Sequence, residues 1–197
     1  YNFDGDAMAF GMPRWGINKR PFPEEFPDRD NFPYGYLLQE EAEMLLEHAR
    51  GKELVVELGT FYGLSASIMS LTAKRVITVD IYKPLSPFLL EEIQEGLYDF
   101  KNIQLVDSDA DEFAKTFSES PDLVFIDANH EYEFVKDNFM SWFPLVKIGG
   151  EILFHDYQAM HLDIRRFVEE LFMHRGLRVI DKKGTIIAFE KVDDVLQ

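Results

Sequence analysis

The sequence predicts a doubly wound, Rossmann-like α/β domain with a seven-stranded, mostly parallel sheet and a C-terminal antiparallel hairpin strand. Three observations carry this. From residue 38 onward, short apolar runs of strand length alternate with longer segments of helical period. The first run, Leu54-Val55-Val56, leads into the glycine-bearing stretch Glu57-Leu58-Gly59-Thr60-Phe61-Tyr62-Gly63-Leu64-Ser65-Ala66, and the next, Val76 to Val79, ends in Asp80. The last two runs are joined by Lys182-Lys183-Gly184, a short link that reads as a hairpin.

The elements follow in order. Residues 1–37 hold most of the prolines and many aromatics (Pro13, Trp15, Pro21, Phe26, Tyr34 and Tyr36 among them) and show no helix or strand period. They read as an irregular arm or lid, with proline limiting its unfolded freedom and aromatics giving it something to bury. Residues 38–197 form the domain proper. A helix is expected over Leu38–Arg50, with Leu38, Ala42, Leu45, Leu46 and Ala49 on its apolar face and Gly51 as its stop. Strands are expected at Glu53–Leu58, Arg75–Ile81, Ile103–Asp107, Leu123–Ala128 and Glu151–Asp156. Helices are expected between them at Ser65–Lys74, Pro87–Phe100, Asp109–Ser118 and Glu131–Val146. Continuous apolar strands suit a parallel sheet covered on both faces. A helix over His161–His174, carrying Leu162, Phe167, Leu171 and Phe172, precedes strands at Leu177–Asp181 and Thr185–Lys191.

Composition narrows the function. The 197 residues fit one domain, and 46% are apolar, enough for a full core. With 20 basic against 36 acidic side chains, the net charge of −16 repels phosphate backbones and anionic lipid, so neither nucleic acid nor a membrane is an expected partner. The absence of cysteine excludes disulfides, thiolate metal sites and a cysteine nucleophile. No apolar run reaches membrane-spanning length and no charged-then-apolar leader opens the chain, so a cytoplasmic protein is expected; the sequence begins at Tyr1, which leaves its natural start open.

The glycine turn points to an adenosine-bearing cofactor at the carboxyl edge of the sheet. Glycines let a ligand approach the backbone, the helix start supplies free N–H groups, and Asp80 can accept from ribose hydroxyls. The nicotinamide fingerprint fails, because Phe61 and Leu64 stand where glycines are required, and Leu64-Ser65 replaces the Lys-Ser/Thr of a phosphate loop. Phe61 leaves little room for a pyrophosphate, and Glu57 would repel one. A ligand with an ammonium and a sulfonium suits Glu57, and S-adenosylmethionine has both.

The motif Glu57-Leu58-Gly59-x-Phe61-x-Gly63-x-Ser65-Ala66, with Phe125-Ile126-Asp127-Ala128-Asn129-His130-Glu131-Tyr132 and Gly149-Gly150-Glu151-Ile152-Leu153-Phe154-His155-Asp156-Tyr157, resembles the class I S-adenosylmethionine-dependent methyltransferases. The chain is most similar to O-methyltransferases of the catechol and caffeoyl-CoA type and to small bacterial relatives that include macrocin-type sugar methyltransferases. The resemblance runs from about Leu38 to Lys191. It implies methyl transfer to a hydroxyl of a sugar, phenol or similar small molecule. It assigns cofactor contacts to Glu57, Gly59, Thr60, Phe61, Gly63, Ser65, Asp80 and Asp127, and adenine contacts to Asp109 with Ser108 and Ala110 as backbone donors. Asp109 reads equally as a helix N-cap.

Asp127 and Asp156 end neighbouring strands, and two carboxylates facing one crevice need a cation or proton between them. In the catechol-type relatives these positions bind Mg²⁺ or another divalent metal, which implies a metal set of Asp127, Asp156 and Asn129. The chain departs from the family here: Tyr157 replaces the catechol type's asparagine, and Asn129 replaces the macrocin type's acid. His130 stands three residues after Asp127, where the catechol type carries its catalytic lysine, and reads either as the general base, catalytic together with Asp127, or as a loop-ordering histidine. His155 reads either as a nitrogen ligand or as structural, and the second is preferred because neighbouring strand residues point to opposite faces. His161 and His174 read as helix-end residues and His48 as a surface one. Alternatives to methyl transfer are a hydroxylase-like relative on the same fold and a non-catalytic cofactor-binding protein. Asn31-Phe32-Pro33-Tyr34 imitates the loop of base-methylating enzymes but follows no apolar strand.

Overall fold

A computed structural model describes residues 37–82, 87–158 and 161–195, leaving out the side chains of residues 87–89 and 92. The proline- and aromatic-rich arm, with its expected lid role and the Asn31–Tyr34 motif, lies outside the described residues apart from Leu37. Thirteen elements follow one another: α1 (Gln39–Ala49), β1 (Val55–Leu58), α2 (Leu64–Ser70), β2 (Val76–Asp80), α3 (Pro87–Gly96), β3 (Ile103–Asp107), α4 (Ala110–Thr116), β4 (Leu123–Ile126), α5 (Tyr132–Trp142), β5 (Glu151–Phe154), α6 (Leu162–Leu171), β6 (Leu177–Lys183) and β7 (Ile186–Lys191).

The strands form one seven-stranded sheet in the order β3-β2-β1-β4-β5-β7-β6. Strands β1 to β5 pair in parallel, and β7 runs antiparallel to both β5 and β6. The strand order reverses between β1 and β4. That reversal opens a crevice at their carboxyl ends, where Gly59 and Asp127 follow the two strands.

Alternation along the strands divides the core in two. Val56, Leu58, Val124, Ile126, Ile152 and Phe154 face α4, α5 and α6 and pack with Phe139, Trp142 and Phe167. Val55, Val76, Leu123, Phe125 and Leu153 face α1 and α2 with Leu45, Ile68 and Met69. Each of these side chains is buried, and each contributes about 1.5–3 kcal/mol by leaving water.

Several expected details differ. Leu38 is the N-cap of α1 and is exposed, while Glu41 is buried on that helix instead. The buried face of α6 is Ile164, Phe167, Val168 and Leu171, an i, i+3, i+4, i+7 set; Leu162 and Phe172 lie off it and are exposed. His174 lies beyond the end of that helix. The C-terminal turn is Gly184-Thr185, because β6 continues through Lys182 and Lys183 after a register shift between Val179 and Asp181. His48 is not a free surface histidine: its Nδ1 lies 2.5 Å from Glu151 Oε2 and its Nε2 3.3 Å from Asp181 Oδ2.

Candidate functional site

The turn after β1 is held by the acid at the end of β2. Asp80 Oδ2 accepts from the backbone N–H groups of Thr60 at 2.9 Å and Phe61 at 3.1 Å, and Oδ1 from that of Ile81 at 2.8 Å. Phe61 needs such support, since its φ of 48° is a left-handed conformation that costs a non-glycine residue about 1–2 kcal/mol. Its ring stands edge-on to Tyr62, half exposed at the rim.

The two glycines answer to the chain's own packing as well as to their positive φ. A Cβ on Gly59 would lie 2.1 Å from the carbonyl oxygen of Asp127, and one on Gly63 would lie 2.8 Å from the Leu97 side chain. The turn therefore seats against β4 and the end of α3, which is a different reason for glycine from ligand approach alone.

Below the turn runs a buried chain of polar side chains. Thr60 Oγ1 lies 2.5 Å from Thr78 Oγ1, Thr78 donates to Glu57 Oε2 at 2.5 Å, and Ser65 donates to Glu57 Oε1. Glu57 is fully buried, and that burial pushes its carboxyl up to about 8 despite the two hydroxyl donors; the charges of Asp127 and Asp80 add to the rise. Thr78 was not anticipated from sequence, although it is the one polar residue inside the apolar run from Val76 to Val79.

After β3, Asp109 caps α4 by accepting from the N–H groups of Asp111 and Glu112 at 2.9 and 3.0 Å. The Ser108 N–H donates to the Asp80 carbonyl, so it joins the strand-end network. The Ala110 carbonyl accepts from Trp142 Nε1.

The carboxyl ends of β4 and β5 carry the strongest electrostatics. His155 follows β5, and its Nδ1 lies 3.1 Å from Asp127 Oδ1 and 3.5 Å from Asp156 Oδ2. Strand alternation does not separate His155 from Asp156, because β5 has ended at Phe154 and Asp156 turns with a φ of 59°. On its other side His155 Nε2 lies 3.5 Å from Glu41 Oε2. Glu41 also accepts from the Leu38 N–H and from both the N–H and the hydroxyl of Thr185, each at 2.7 Å. Burial disfavours a charged His155, but the Asp127 charge and the bonds to Asp127, Asp156 and Glu41 outweigh it and push the imidazole up to about 12. Burial likewise opposes ionisation of Glu41, yet the His155, Leu38 and Thr185 donors bring it down to about 2. Asp156 is held well below the carboxylate range by His130 and His155 against its own burial. The cation that two facing carboxylates require is thus an imidazolium of the chain itself. Sequence reading missed Glu41 altogether and preferred a structural role for His155 over one beside Asp127 and Asp156.

His130 Nε2 lies 3.1 Å from Asp156 Oδ2, and that bond raises its pKa above the ordinary 6.5. Its ring stacks on His161 with centroids 3.9 Å apart and planes 22° apart. Asn129 Oδ1 accepts from the Glu131 N–H at 2.8 Å at the start of α5. Two imidazoles, those of His130 and His155, stand beside Asp156 Oδ2 at 3.1 and 3.5 Å.

Among the described residues no helix is long and apolar enough to cross a membrane. A family of methyltransferase domains matches residues 56–157, just over half of the chain. No curated protein matches in sequence. Solved structures share the fold at low identity. An O-methyltransferase from Bacillus cereus in complex with S-adenosylhomocysteine aligns at 16% identity over 86% of this chain and 84% of its own, with a TM-score of 0.61. The O-methyltransferase TomG from Streptomyces achromogenes, in complex with S-adenosylmethionine, aligns at 17% identity over 77% and 79%, with a TM-score of 0.62. An rRNA methylase from Streptococcus thermophilus aligns at 14% identity over 77% and 94%, with a TM-score of 0.60. The chain belongs to the methyltransferase-domain family, and its Rossmann-like sheet is that of the class I S-adenosylmethionine-dependent methyltransferases.

Proposed function

We propose that this protein transfers the methyl group of S-adenosylmethionine to a hydroxyl of a small molecule. The observation that carries the reading is the crevice between β1 and β4. At that reversal of strand order the glycine turn and Asp80, after β1 and at the end of β2, share one sheet edge with Asp127 and the His130–Asp156 pair, after β4 and β5.

The cofactor lies across the carboxyl ends of β1 and β2. The turn Gly59–Gly63, with the Phe61 ring at its edge, faces its methionine part, and the buried chain of Glu57, Thr60 and Ser65 supports that turn from beneath. Asp80 faces the ribose through the Oδ1 side, and Ser108, Asp109 and Ala110 border the adenine. Asp127 lies beside the sulfonium. The acceptor oxygen attacks the methyl carbon in line, the C–S bond breaks, and its electron pair returns to sulfur. Positioning supplies most of the rate. The hydroxyl proton passes to the ring nitrogen of neutral His130 that does not face Asp156, while Asp156, ionised, accepts from Nε2–H, orients the ring and stabilises the imidazolium that forms. The acidic surface disfavours nucleic-acid acceptors.

Transfer of labelled methyl from S-adenosylmethionine to a panel of phenols, sugars, amines and RNA tests this. Labelled ether products are expected. Because Asp156 raises the His130 pKa, the rate should climb with pH through a value above 6.5, and His130→Gln should lower it roughly a hundredfold or more. Methylation confined to amines or RNA, or a His130→Gln variant with the wild-type pH profile, would overturn it.

A further inference from the structure

Asp156 leaves β5 in a left-handed conformation and presents Oδ2 to His130. Such backbone strain in a non-glycine residue persists only where its surroundings hold it, and it concentrates at functional sites. His161 reaches the same place from the start of α6. It occupies the N-cap position but makes no capping hydrogen bond; its ring lies on His130 instead. The ligand atoms of His130, Asp156 and His161 all fall within 4.8 Å of one another, and all three side chains are half-buried, open to an ion from solvent. They come from three different segments: the loop after β4, the end of β5 and the start of α6.

We infer that His130, Asp156 and His161 form a binding site for one borderline divalent metal ion of the Zn²⁺ class, distinct from an all-oxygen magnesium site. The donor set decides the class. Two imidazoles and one carboxylate suit zinc and its neighbours, whereas magnesium seeks oxygen in near-octahedral array. The neighbouring trio Asp127, His155 and Asp156 is equally close-set, but it is already occupied from within. His155 is buried, with one ring nitrogen on the two aspartates and the other on Glu41.

Zinc holds such donors at roughly 2.0–2.2 Å, which brings ligand atoms to about 3.3–3.5 Å from one another. His130 and Asp156, 3.1 Å apart, already meet that spacing, so it is His161 that must adjust, from separations of at most 4.8 Å, which side-chain rotation can supply. Two near-parallel rings cannot both aim a lone pair at one ion, so binding must tilt the His130–His161 stack apart. Three protein ligands leave a fourth position open. On the proposed reading of methyl transfer, that position faces the acceptor hydroxyl; an ion there takes the His130 lone pair and lowers the hydroxyl's pKa in its stead.

The test is calorimetry on tag-free, chelator-stripped protein, titrated separately with ZnCl₂ and MgCl₂ and with neither cofactor nor acceptor present. It reads metal binding alone, so its failure leaves the methyl-transfer proposal standing, and failure of methyl transfer leaves this site standing. One Zn²⁺ per chain is expected, with Mg²⁺ giving weaker binding or none. His161→Ala and His161→Phe should each weaken zinc at least roughly tenfold, as loss of a ligand requires. The phenylalanine variant keeps a ring on His130 and so separates lost ligation from lost packing. The inference falls if magnesium binds in preference, if no zinc binds, or if zinc affinity is indifferent to both His161 variants.

Discussion

Gly59 sits so close to Asp127 that a Cβ placed on it would lie 2.1 Å from the Asp127 carbonyl oxygen. The turn after β1 and the end of β4 are therefore locked together at the point where the sheet order reverses. With a φ of 94° at Gly59 as well, Gly59→Ala should destabilise the fold by about 3 kcal/mol or more. Gly51 also has positive φ, yet a Cβ there meets nothing within 4 Å, so Gly51→Ala should cost only about 1 kcal/mol. Urea unfolding of the two variants measures the difference; equal losses would show that the contact with Asp127 carries no weight.

Burial of Glu57 gives stability a pH dependence with a definite sign. Its folded-state carboxyl titrates at about 8 against an ordinary 4.5, so the native state binds the extra proton. That contribution is full below 4.5 and is lost as pH rises through 8. Glu57→Gln keeps the shape and has no proton to lose. Its unfolding free energy relative to wild type should rise between pH 5 and 8.5. Denaturation across that range reads it, and parallel curves would contradict the neutral-acid assignment.

His155 holds three carboxylates in check from one buried position. His155→Ala leaves Glu41, Asp127 and Asp156 without their shared cation, and removing one partner from a buried ionic cluster costs about 3–5 kcal/mol. The imidazole is raised from 6.5 to about 12, so its contribution is complete below 6.5 and is lost as pH climbs through 12. Chemical denaturation at pH 6 and pH 9 should show the larger penalty for His155→Ala at pH 6. A penalty below about 1 kcal/mol at both pH values would mean that water or rearrangement neutralises the cluster.

Much of this architecture is legible in the sequence, because periodicity reports burial directly. Among the described residues each of the seven strands and six helices overlaps its expected range, although α2, α3 and α5 stop at Ser70, Gly96 and Trp142, short of it, and Asp127 and Asp156 follow the carboxyl ends of the neighbouring strands β4 and β5. The differences arise where tertiary contacts override a local rule. Leu38 counts as core by spacing but begins α1 as its cap. His155 obeys strand alternation on paper, yet the strand ends one residue earlier and Asp156 turns left-handed. Glu41 lies 114 residues from His155 in sequence, and no local pattern announces a contact of that span. The stacking of His130 on His161 joins two loops and is equally invisible to spacing.

Asp80 is the residue on which the cofactor assignment turns, and it also anchors the Thr60 and Phe61 amides. Asp80→Asn retains a carbonyl oxygen for those amides while removing the charge. Calorimetric titration of wild-type and Asp80→Asn protein with S-adenosylhomocysteine is the most direct measurement. One molecule should bind per wild-type chain, and the variant should bind at least tenfold more weakly, about one charge-assisted hydrogen bond, with its thermal unfolding little changed. A wild-type protein that ignores S-adenosylhomocysteine, or a folded variant that binds it as tightly as wild type, would contradict the assignment.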